Sequence, residues 1–157
     1  MKLTTGLILI SILAACCLAA PADDVKPVAM SNKTIVCGGV SGTPTKGFEN
    51  GKGVYTIGLL IKTWGKVTYR DPGGTFLYID DGSKLWDGTK DSSNHNVLGV
   101  RIAIDNLAAG NSISMPAGNV TLVSVVGVIS TFADSNNKIR PNIRPRNQPD
   151  VITLTTM

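Results

Sequence analysis

The chain has 157 residues with 15 lysines and arginines against 11 aspartates and glutamates, a formal net charge of +4, 17 glycines, three cysteines and 5% aromatics. Beyond a short leader this leaves one domain with a modest core and one cysteine, Cys37, which excludes a fold stapled by internal disulfides. The positive excess is too mild to distinguish phosphate binding from an ordinary solvated surface.

Residues 1–22 have the pattern of a secretory signal peptide. Lys2 supplies the positive start, residues 6–18 are apolar, and Ala19, Ala20 and Ala22 are small; the run is too short for a permanent membrane span. Two processing routes compete. Ala20-Pro21-Ala22, with Cys17-Leu18-Ala19 as a near-equivalent, offers a cut that releases a secreted or periplasmic chain of the cell envelope. Leu13-Ala14-Ala15-Cys16 resembles a bacterial lipobox, which makes Cys16 a lipid anchor and the only membrane contact. Residues 23–54 form a tether and loop segment. Within it 23–30 is polar and proline-bearing, 32–36 is expected as a short strand, and 41–53 is a long glycine-bearing loop.

The domain proper, residues 55–157, is built from valine, isoleucine and threonine runs separated by glycine and asparagine turns, an all-β signature. The first strand spans 57–69. Leu59, Ile61, Val67 and Tyr69 share one face by the two-residue period, and Lys62, Trp64, Lys66 and Thr68 share the other. Gly65 marks a bend. Asp71-Pro72-Gly73-Gly74 is a turn, 75–80 a second strand, and Asp81-Gly82 a hairpin dipeptide. Residues 84–96 are a polar excursion. The third strand, 98–105, turns Val100, Ile102 and Ile104 inward and Arg101 outward. A long connection leads to the fourth, 119–131, whose nearly continuous apolar run implies burial on both faces, with a bend at Gly127. The last strand lies within 138–154, edge-like or interrupted because Pro141 and Pro145 lack ladder donors.

Five strands, a glycine-bent first strand and a long third-to-fourth connection describe a single five-stranded OB-fold-like barrel with a loop-rich N-terminal extension. Gly65-Lys66-Val67-Thr68, Phe76-Leu77-Tyr78-Ile79-Asp80-Asp81-Gly82-Ser83, Gly99-Val100-Arg101 and Val125-Val126-Gly127-Val128 together resemble the nucleic-acid-binding OB-fold domains of the tRNA and helicase type, in the versions found in exported bacterial proteins. The tail, Arg144-Pro145-Arg146 through Asp150-Val151-Ile152, is similar to the closing segment of those domains. The resemblance covers residues 57–154 and implies a ligand platform on the outer faces of the second and third strands with the adjoining first. It does not name the ligand, because this fold hosts oligonucleotide, oligosaccharide and protein binding alike.

The platform expected from the residues is Lys62, Trp64 and Lys66 on the first strand, Arg101 on the third, and either Phe76 and Tyr78 or their neighbours Leu77 and Ile79 on the second. Rings stack bases or sugars, and cations follow phosphates. A secondary basic cluster comprises Lys138, Arg140, Arg144 and Arg146. Asp80, Asp81, Asp87 and Asp91 are the hard-oxygen ligands calcium needs, but their spacing fits no EF-hand loop and no bidentate glutamate follows; they are expected to fix turns. His95 stands alone in a polar loop. No nucleophile, general base or metal set assembles, so no enzyme, metal or cofactor is expected. Two readings remain: an exported binding module for single-stranded nucleic acid or oligosaccharide, and a non-catalytic structural or protein-interaction domain of the bacterial cell envelope.

Overall fold

The computed structural model describes residues 25–35, 48, 51, 54–116 and 121–156. The signal peptide, Cys16, Cys37 and most of the 41–53 loop lie outside them.

The described chain is predominantly β. Its strands are β1 (Val28–Ala29), β2 (Leu60–Arg70), β3 (Phe76–Asp80), β4 (Trp86–Lys90), β5 (Asn96–Leu98), β6 (Val100–Ala103), β7 (Thr121–Ala133), β8 (Ile139–Arg144) and β9 (Val151–Thr156), with a short helix α1 (Asn32–Ile35) and a 3-10 turn at Gln148–Asp150. Seven strands form one sheet in the order β1-β2-β3-β6-β8-β7-β9, and β4 and β5 form a separate hairpin. Because β2 also pairs with β7, the pairings β2–β3–β6–β8–β7 return to β2. In that circuit β6 and β8 run parallel and the other neighbours antiparallel.

The circuit depends on two glycines. β2 pairs with β7 through Lys66 and with β3 from Lys66 onward. At that change of partner a Cβ on Gly65 would stand 2.7 Å from the Asp80 carbonyl carbon. On β7 a Cβ on Gly127 would stand 2.8 Å from the Arg144 carbonyl oxygen. Both bends expected from the sequence are places where another backbone comes too close for a side chain. Inside the circuit Ile61, Val67, Leu77, Ile79, Val100, Ile102, Val123, Val125, Ile129 and Ile143 are buried, joined by Ile35 and Phe48 from the N-terminal segment. The long apolar run of β7 is explained by its three partners, β2, β8 and β9.

Several expectations are corrected. The strand expected at 32–36 is helical over its described part, and the tether contributes β1, which pairs parallel with β2. The β-branched run pointed to a strand, but a buried polar anchor wins. Asn32 donates to the Ile79 carbonyl at 2.7 Å and accepts from the Thr63 hydroxyl at 2.9 Å, while its backbone N–H donates to Asp81 at 2.8 Å. Leu59 precedes β2 and is exposed. A register shift between Val67 and Tyr69 turns Tyr69 away from the inward face expected for it; its ring lies 6.0 Å from that of Phe76. The polar excursion holds the β4–β5 hairpin. Of the two outcomes expected for the last strand it is interrupted, into β8 and β9, and β8 is interior rather than edge-like. Pro141 is tolerated because β8 pairs with β6 only at Asn142 and Ile143.

Candidate functional site

The two-residue period on β3 resolves which side chains face out. Leu77 and Ile79 belong to the core, so Phe76 and Tyr78 take the outer face, beside Tyr69. Next to them Arg101 on β6 stands in register with Tyr78 on one side and Asn142 of β8 on the other. Its guanidinium carbon lies 4.1 Å from the Phe76 ring centroid and 4.4 Å from that of Phe132 on β7. Such sandwiching stabilises a cation, yet the Nε is buried without a partner and no carboxylate pairs with the group among the described residues. Burial lowers the Arg101 pKa from the usual guanidinium value; nearby Asp105 opposes this and Arg144 adds to it. The group nonetheless stays charged.

The β4–β5 hairpin lies over this face. Tyr78 is fully buried beneath it, and its hydroxyl donates to Asp87 Oδ2 at 2.9 Å and meets the Thr89 hydroxyl at 2.9 Å. Burial, then the Asp87 carboxylate, push the Tyr78 pKa far up, so it remains a donor. Gly88, at φ +98°, rests on Arg140, whose Nη2 lies 2.6 Å from where a Cβ would be. Arg140 in turn pairs with Asp134 at 2.9 Å. Between hairpin and β7–β8 turn opens a cleft of about 500 Å³, lined by Phe76, Thr89, Lys90, Arg101, Phe132 and Asn136 among others. Further along the same face a second cleft of about 240 Å³ is lined by Ala103, Asp105, Leu107, Asn111, Val128 and Arg144 among others.

No protein-family model, curated protein or solved structure matches this chain.

The expected platform therefore divides. Phe76, Tyr78 and Arg101 come together, but Tyr78 is covered and cannot stack a ligand. Lys62, Trp64 and Lys66 do face outward. They register with Val126, Ser124 and Leu122 of β7, only Lys66 also pairs with β3, at Asp80, and none lines either cleft. The secondary cluster divides too. Arg140 and Arg146 are tied to Asp134 and Asp150, and Lys138 sits in the β7–β8 turn, whose backbone closes on Asp134. Arg144 carries no ion pair among the described residues and acts electrostatically on Arg101. The four aspartates weighed for calcium accept turn N–H groups instead: Asp80 from Lys84, Asp81 from Ser83, Asp87 from Thr89 and Asp91 from Ser93 and His95. Sequence reasoning missed Phe132, Asn142 and Asp105. The alternation Arg140-Asn142-Arg144 was a usable signal for one polar outer face on β8.

Proposed function

We propose that the chain is an exported OB-type barrel that binds single-stranded nucleic acid, without catalysis, through the cleft over Arg101. Support for the barrel is the five-strand circuit β2–β3–β6–β8–β7 with its one parallel pair, the order of a Greek-key barrel of this kind; β1, β9 and the β4–β5 hairpin are additions. Export rests on the leader sequence. The observation that carries the ligand class is Arg101, a half-buried cation held between two rings with no direct ion pair among the described residues. Such a group is built for an oxyanion, and a phosphate supplies one. Lys90 at the cleft wall adds to the field.

The test is fluorescence anisotropy of a labelled single-stranded oligonucleotide at two salt concentrations. Affinity should fall steeply with salt, because each neutralised phosphate releases counterions. Arg101→Gln should weaken binding about tenfold at low salt and reduce the salt slope by about one. Trp64→Ala should leave it unchanged, since Trp64 faces elsewhere. Equal affinity of wild type and Arg101→Gln, or no binding at low salt, sinks the reading; stronger binding of an acidic oligosaccharide moves it to glycans.

A second reading, a structural or protein-interaction domain of the cell envelope, draws on a different observation. Trp64, Ser124 and Ile152 align across β2, β7 and β9. Trp64, Ile152 and Leu154 are 45%, 51% and 53% exposed. This apolar row is the surface such a domain would use.

A further inference from the structure

We infer that the smaller cleft is a ring subsite for the same ligand, holding the base of a nucleotide whose phosphate lies on Arg101, with Asp105 accepting a donor hydrogen from that base. The inference rests on the proposed function and adds to it a place where the polymer's uncharged part is recognised.

The observation is where unpaired polar atoms collect. Seven buried side-chain nitrogen and oxygen atoms of the described residues have no partner, and four of them, Arg101 Nε, Asn142 Nδ2, Asn142 Oδ1 and Asp105 Oδ1, belong to this one face. Folded chains leave few such atoms, because each costs its desolvation without return. Asn142 is fully buried in register between Arg101 and Ser130, so its carboxamide stands between the two clefts. Asp105 lies two residues past the end of β6 and lines the smaller cleft together with Ala103 and Arg144. Its Oδ2 accepts from the Asn106 side chain at 3.0 Å, while its Oδ1 is buried without a partner.

The chemistry of the two clefts differs. Asp134 in the larger cleft is already paired with Arg140, and Arg146 in the smaller with Asp150, whereas Asp105 in the smaller cleft has no cationic partner among the described residues and can only accept, so it suits a group that donates. Ala103, Leu107 and Val128 give it apolar walls, and about 240 Å³ suits one ring rather than a run of polymer. The exocyclic amines of cytosine, adenine and guanine are such donors, and aspartate accepts from the cytosine amine. Arg144 at the rim keeps the local field positive toward the adjoining phosphate. The arrangement orders the ligand along the face: phosphate over the Phe76–Arg101–Phe132 sandwich, base beyond Asn142.

The experiment compares a deoxycytidine oligonucleotide of about ten nucleotides with an abasic strand of the same length and charge. Wild type should bind the base-bearing strand about tenfold more tightly. Asp105→Ala should erase that preference without weakening binding of the abasic strand, and Asp105→Asn, which keeps the shape, should reduce the preference severalfold even if the alanine variant folds poorly. Equal binding of the two strands by wild type, with both still weakened by Arg101→Gln, overturns the ring subsite and leaves the proposed function standing. A preference that survives both Asp105 variants also overturns it. Failure of both strands to bind wild type overturns both readings.

Discussion

Tyr78→Phe isolates the tie between the hairpin and the strand circuit. The substitution keeps the ring, and with it the contacts to Phe76 and Tyr69 at 6.1 and 6.3 Å. It removes only the hydroxyl that donates to Asp87. Asp87 is 5% exposed, and its other oxygen is taken by the Thr89 N–H, so Oδ2 loses its partner where water cannot easily replace it. Hydrogen bonds to charged groups contribute about 1.5–3 kcal/mol. For a chain of this size each kcal/mol shifts the midpoint by roughly 2–4 °C, so a loss of about 2 kcal/mol predicts a fall of roughly 4–8 °C. The hairpin keeps a tie to β2, the Thr68 hydroxyl to the Leu98 carbonyl at 2.5 Å, and its own base stays closed by the Gly99 N–H to the Leu85 carbonyl at 2.7 Å. It should therefore loosen rather than detach, and amide exchange in residues 86–98 should accelerate before that of β7. The assay is thermal melting by circular dichroism with hydrogen exchange read by mass spectrometry. Asp87→Asn added to the Tyr78→Phe variant should then cost little more, because the pair has already been broken. A midpoint within about 1 °C of wild type together with unchanged hairpin exchange would refute the assignment of this hydrogen bond as the hairpin's anchor.

Two further outcomes follow from the geometry. Gly99→Ala should cost about 3 kcal/mol or more, since Gly99 sits at φ +106° and a Cβ there would run into the Ile79 carbonyl group; a wild-type urea midpoint for this variant would contradict the close approach of β3. Asp150 is held by Arg146 at 2.9 and 3.0 Å and by the Arg146 backbone N–H at 2.8 Å, and the Arg146 side chain is the chief reason its pKa is lowered from 3.8. A depressed folded pKa gives stability that is present above the unfolded value and lost as pH falls through the folded one. Between about pH 5 and 2 the wild type should lose stability faster than Asp150→Asn in urea titrations, and parallel curves would show that the carboxylate is not coupled to folding.

The parts of this fold that were legible in the sequence are those a single strand determines. The inward set Ile61, Val67, Val100, Ile102 and Ile104 follows from a two-residue period, and all five are buried. Gly65 and Gly127 betrayed their bends because glycine within a β-branched run has few other uses. The period failed where one residue shifts the register: past Val67 the bulge reverses Tyr69, and nothing in Lys66-Val67-Thr68-Tyr69 announces it. It failed again in residues 84–96, where Gly88 and the polar turn interrupt the alternation that would have marked β4 and β5.

The site was less legible because it depends on which strands become neighbours. Trp64 between two lysines is the more conspicuous motif, and each of its three residues does point outward. But the half of β2 that carries them pairs with β7, only Lys66 reaching β3 as well, and none of the three lines either cleft. Arg101 had no visible partner in its own strand. Only the parallel pairing of β6 with β8, far along the chain, sets it beside Asn142, and the antiparallel pairing of β7 with β8 puts Phe132 opposite Arg140 on that same outer face. A motif scan weighs residues by local spacing and so favours the Lys62–Lys66 stretch. A count of unpaired buried polar atoms weighs them by what the assembled fold leaves incomplete, and it leads instead to Arg101, Asn142 and Asp105. An exposed lysine is already satisfied by water, whereas a buried unpaired atom has a cost that a bound group or an ordered water must remove.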